Sequence, residues 1–162
     1  MESQAMVAGA EVWFVIADAG RARIVSPAAH PGGWKTVRAL ESVVLHEKES
    51  DLGRDRPGRS FESATTARHA IERRAAAKAR GAQAFIAELA DLVDAAAEEG
   101  EFSRLVLVAP TPVLHNLAAS LGPDAAGRVA LSVAKDLAKV PDGELARHLG
   151  PAWLAASRRG AG

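Results

Sequence analysis

From Ser63 to Glu99 the chain runs thirty-seven residues without a proline, is rich in alanine and contains a single glycine, Gly81. That composition favours one long helix, because alanine leads the helix propensity scale and proline would break the hydrogen-bond ladder. Ser63 is placed to cap its start, and Gly100 to end it as the left-handed C′ residue. In its second half Phe85, Leu89, Leu92, Val93 and Ala96 recur at helical spacing and predict a buried stripe. In its first half the stripe thins to Ile71, Ala75, Ala79 and Ala82, and Gly81 marks a possible kink or close approach to the sheet.

Apolar runs flank this segment. Glu11 to Asp18, EVWFVIAD, reads as a strand covered on both faces, because its apolar residues are nearly continuous. Ala19-Gly20 makes a turn, and Arg21 to Ser26 returns as the second strand of a hairpin. A third strand falls within Trp34 to His46, with Val43, Val44 and Leu45 near its end and a bulge or break near Glu41-Ser42. Beyond the helix, Leu105 to Ala109 is a fully apolar strand. Thr111 as N-cap with Pro112 after it starts a second helix, lined by Val113, Leu114, Leu117, Ala118 and Leu121. Gly122-Pro123 closes it, Val129 to Val133 is a last strand, and Asp142 caps a final helix through Leu149. Trp13 and Trp34 read as strand packing residues and Trp153 as a cover on the C-terminal helix. Strands followed by alternating helices and strands imply a single α/β domain with a mixed sheet and flanking helices. Residues 1–10 read as a flexible lead, 11–155 as the domain and 156–162 as a frayed tail.

At 162 residues the chain is long enough for one full core, and it has no cysteine, which excludes a disulfide framework, thiol catalysis and a Cys-based zinc site. No apolar run reaches the length of a membrane span, and the first residues lack the charged and apolar regions of a secretory signal. The expected compartment is the cytoplasm, with no membrane partner.

The formal net charge is zero, but the charges are segregated. Residues 54–80 hold eight cations and three anions, whereas residues 88–101 hold six carboxylates and no cation. The basic block begins in Asp51 to Ser63, DLGRDRPGRSFES, which Gly53, Pro57 and Gly58 make an exposed loop. A charge run is ordinarily a solvated face. Here it coincides with the positive end of a helix macrodipole, an arrangement that suits an anion such as a phosphate backbone. Arg54, Arg56, Gly58 and Arg59 in the loop, and Arg68, Arg73 and Arg74 on the helix, are the candidate nucleic-acid contacts. Phe61 is the sole aromatic near them, so reading of single-stranded bases is not expected.

VWFVIADAGRARIV, DRPGRSFES, QAFIAELADLV, RLVLVAPTPVLHNL and SVAKDLAKVPDGELARHL, in that order, resemble the bacterial host-attachment protein family from about Val12 to Leu149. That family is similar to the middle domain of archaeal and eukaryotic class-one peptide-chain release factors. The resemblance implies a ribonuclease-H-like fold with one long helix after a basic loop. In release factors that loop carries a Gly-Gly-Gln tip for peptidyl-tRNA hydrolysis. Here it reads Arg56-Pro57-Gly58-Arg59-Ser60, so the resemblance brings no peptide-release activity. It leaves ribosomal RNA or transfer RNA as candidate partners, and an indirect role in attachment.

Two other readings stand beside this one. In a ribonuclease-H-like fold Asp18 and Asp136 occupy positions where carboxylates hold Mg²⁺, but no third carboxylate is in register. Asp18 is more simply a hairpin-turn residue. His69, beside Arg68 and Arg73, offers a proton donor or anion ligand, with a surface histidine as the plainer reading. Asp18 and His69 are the only catalytic candidates, for a hydrolase acting on a phosphodiester or aminoacyl ester. His115 stands near a helix start, and His30, His46 and His148 have no zinc spacing. No phosphate loop, nucleophile elbow or HExxH motif occurs, so no metal and no cofactor is expected. The other reading is a protein-interaction module, in which the oppositely charged ends pair head to tail between copies.

Overall fold

A strand that is apolar at every position has to be covered on both sides, and β1 (Val12–Ala17) is buried throughout. In the computed structural model, which describes residues 11–27, 34–42 and 64–150, β1 is the centre of a five-stranded sheet of order β3-β2-β1-β4-β5. β2 (Arg21–Pro27) and β3 (Trp34–Glu41) are added antiparallel on one side of it. β4 (Arg104–Ala109) and β5 (Val129–Ala134) are added parallel on the other. The fold is therefore the α/β domain with a mixed sheet that the pattern predicts.

Side chains of β1 alternate between two cores. Trp13, Val15 and Ala17 face the core shared with α1 (Ala64–Glu98), α2 (Thr111–Ser120) and α3 (Pro123–Ala126). Val12, Phe14 and Ile16 face a second core closed by Leu137 and by Leu145 and Leu149 of α4 (Asp142–Leu149). Each large side chain so buried contributes about 1.5–3 kcal/mol. Aromatic contacts set two corners. Trp13 packs against Phe102 with ring centroids 4.8 Å apart, and Trp34 meets Phe14 edge-on at 5.2 Å, so both tryptophans are the packing residues expected.

α1 is one continuous helix through Gly81, about 52 Å long at 1.5 Å per residue. It ends in a Schellman motif. Gly100, at φ +72°, donates to the carbonyl of Ala97 (3.0 Å), and Glu101 to that of Ala96 (3.0 Å). The expected C′ role of Gly100 is thus met. Ser63, Trp153 and the segment containing Val43, Val44 and Leu45 lie outside the described residues.

Several local expectations are corrected. β3 does break off at Glu41-Ser42, as expected, but its bulge sits at Val37, since Ile24 pairs with Arg38 and Val25 with Thr36. β3 is an edge strand with no fully buried residue, so burial specifies its register weakly and patterning is a poor guide there. Thr111 is the first helical residue, not the N-cap. The carbonyl of Pro110 accepts from Leu114 N–H at 2.9 Å, which makes Pro110 the cap. Ala118 is exposed, although the apolar pattern puts it on the buried face of α2. Asp142 does not cap α4. Its carboxylate lies 2.9 Å from the Arg23 guanidinium, a charged partner that outweighs a backbone N–H.

α3 is a single turn that the sequence pattern does not anticipate. The Asp94 carboxylate accepts from Gly122 N–H at 2.9 Å just before it. A Cβ at Gly122 would lie 3.3 Å from both Asp94 carboxylate oxygens, so glycine allows this approach.

Candidate nucleic-acid interface

The two halves of α1 meet different surroundings. In the second half Phe85, Ile86, Leu89, Ala90, Val93, Ala96 and Ala97 are buried against the sheet. In the first half, from Thr66 to Arg80, only Ala70 and Ala77 are even partly covered. The apolar stripe expected there is not used. Ile71, at 63% exposure, is the one exposed large hydrophobic among the described residues, and Ala75 and Ala79 are exposed with it. The first half thus projects past the core formed by the described residues.

That projecting half carries Arg68, Arg73, Arg74, Lys78 and Arg80 against one carboxylate, Glu72, and all six side chains are exposed. They do not form one line. At 3.6 residues per turn, Arg73 and Arg80 share the side turned away from the core, Arg74 and Lys78 share a second side, and Arg68 lies on a third. The helix is thus basic around its circumference. A flat surface would meet one pair of these cations, and a groove would meet more. Of the sequence candidates, Arg68, Arg73 and Arg74 are placed here. Arg54, Arg56, Gly58 and Arg59 lie outside the described residues.

Asp18 is engaged elsewhere. One of its carboxylate oxygens accepts from the backbone N–H groups of Gly20 (2.9 Å) and Arg21 (2.8 Å), closing the β1–β2 hairpin. This is the turn role, the simpler of the two expectations. His69 is exposed on α1, on a different element, and His115 is exposed on α2. Among the described residues no three His, Cys, Asp or Glu side chains gather where they could hold a metal ion.

A feature missed at the level of sequence lies on β2. The alternation Arg21-Ala22-Arg23 puts two arginines on the face toward α4. Arg23 donates to the carbonyl of Leu137 at 3.1 Å, donates to the carbonyl of Val140, and pairs with Asp142. It thereby ties the segment before α4 to the sheet. Arg21 and Arg23 border a shallow cleft of about 260 Å³ with Ala39, Leu40, Glu41 and Ala138. The period-two spacing of two cations in a short strand was the available signal.

No helix of the described residues is long and apolar enough to cross a membrane. A family model described as protein required for attachment to host cells matches residues 13–149. No curated protein matches the chain significantly. Among solved structures, the chain is similar to the archaeal translation termination factor aRF1, at 14% identity and a TM-score of 0.46. That likeness covers 94% of this chain and 41% of the other. A second structure, described only as an archaeal protein, is 14% identical with a TM-score of 0.47, over 98% of this chain and 42% of that one. The chain therefore spans less than half the length of either structure.

Proposed function

The chain belongs to the family of proteins required for attachment to host cells, and from that premise we propose that it acts as a non-catalytic RNA-binding factor. Its ligand is ribosomal or transfer RNA, met by the projecting half of α1 and the arginine-rich segment before it. Its bearing on attachment is then indirect, through the synthesis of other proteins.

The observation that carries this reading is the projecting basic half-helix. A segment that buries almost nothing owes little to packing, so its surface chemistry is what it contributes. The five cations repel one another, and Arg68, the one nearest the helix N-terminus, also meets the positive end of the macrodipole. A polyanion relieves both, and arginine suits phosphate geometry. The choice of RNA over DNA rests on the sequence resemblance to a release-factor domain. The hydrolase reading has no comparable support: Asp18 closes a hairpin, and His69 stands exposed on another element.

The test is an anisotropy titration with a ribosomal RNA fragment and with transfer RNA over a salt series. Wild-type affinity should fall steeply with salt. Replacing Arg54, Arg56, Arg59, Arg68 and Arg74 by alanine should lower affinity and flatten the logarithmic slope by roughly 0.7–0.9 for each phosphate no longer neutralised. An unchanged slope in that variant would sink the proposal. Equal affinity for a DNA duplex of the same length would remove the preference for RNA.

A further inference from the structure

The charges on the solvent side of α1 are antisymmetric about its middle. Arg73, Arg80, Ala84, Ala87, Asp91 and Glu98 are all exposed, at intervals of seven, four, three, four and seven residues. Those intervals keep them on one line of the helix, opposite the buried Ile86, Leu89 and Val93. Read along the chain, the line is two cations, two alanines and two anions.

We propose that two copies of this chain pair antiparallel along this line, forming a closed two-fold dimer. Centred between Phe85 and Ile86, such a pairing sets Arg73 opposite Glu98 of the second copy and Arg80 opposite its Asp91. Symmetry repeats both, so four ion pairs form. Ala84 and Ala87 face each other across the axis, and their small side chains let the helices approach to the short end of the usual 8–10 Å separation. Ala77 falls opposite Asp94, whose carboxylate is already held by Gly122 N–H and needs no new partner. A parallel pairing in register would set like charge on like charge at every charged position.

Charge complementarity along one helix selects a second copy of the chain as the occupant. The contact is isologous and uses the same line on both copies, so it closes at two. A head-to-tail contact between charged ends would instead propagate. Arg68, Arg74 and Lys78 are turned to other sides of α1 and stay outside this seam, whereas Arg73 and Arg80 leave the RNA-facing set on pairing, so the pairing does not depend on the RNA proposal. Exposed ion pairs are individually weak and screened by salt, so the dimer is salt-sensitive.

The experiment uses the full chain after nuclease treatment, in sedimentation equilibrium over a range of protein and salt concentrations. The expected result at low salt is a mass of twice 16.9 kDa that does not climb further, with dissociation as salt rises. Arg80→Glu and Asp91→Arg each place like charges opposite one another at two positions, and each alone should raise the dimer Kd at least about tenfold. An equimolar mixture of the two should recover the dimer, because every pair is then attractive again. Both sites are exposed, and an unchanged circular dichroism spectrum certifies the fold. Arg73→Glu with Glu98→Arg repeats the test at the second pair. A wild-type mass that stays at one chain, a mass that grows past two, or a mixture that remains monomeric would each overturn the proposal.

Discussion

The first and second halves of α1 share one continuous helix and an alanine-rich background, yet they do different things. Both are alanine-rich and both are heavily charged. The second half is anchored by Phe85, Ile86, Leu89 and Val93, each buried against the sheet. The first half extends beyond the sheet with Ile71 exposed and cations on every side. An equally helical background thus serves as core where large apolar side chains line it and as presented surface where they are sparse. Helicity is a local property, whereas burial depends on what lies alongside.

Stability measurements can break that comparison. The largest effect is expected at Leu89→Ala, which removes a fully buried side chain between α1 and β1. It should cost about 2–5 kcal/mol, read as a lower denaturation midpoint. A loss below about 1 kcal/mol would mean that the anchored half is not the core element described.

A smaller effect belongs to the end of the anchored half. Gly100→Ala puts a Cβ on a residue at φ +72° and should destabilise by about 1–2 kcal/mol, with no steric neighbour within 4 Å to add to it. A neutral result would contradict the Schellman geometry.

The smallest effect is expected in the projecting half. Ile71→Ala should change global stability by less than about 0.5 kcal/mol, since an exposed side chain has little burial to lose. Amide exchange should also be faster from Thr66 to Arg80 than from Phe85 to Ala97, because the first half is mostly exposed. A destabilisation by Ile71→Ala as large as that by Leu89→Ala would show that the first half is packed after all, and the difference between the halves would vanish.

Much of the architecture was legible because the central strands are unambiguous. Val12–Ala17 and Leu105–Ala109 have no polar residue, so only a doubly covered position suits them. Edge features were less legible. The bulge at Val37 sits in a strand with no fully buried residue, and there the pattern of side chains says little about register. Asp142 has the composition of a cap, but Arg23, more than a hundred residues away in sequence, claims it. For the candidate interface, the sequence showed which residues are basic. It did not show that the part of the helix holding Arg68, Arg73 and Arg74 is exposed on nearly every side.

By itself, then, the sequence determined the helix, the buried strands and the segregation of charge, because propensity, apolar runs and formal charge are carried by residues one at a time. The tertiary structure alone decided where along α1 the sheet stops. That boundary depends on the sheet order, which brings distant segments together, and it makes one half of a continuous helix core and leaves the other a basic projection.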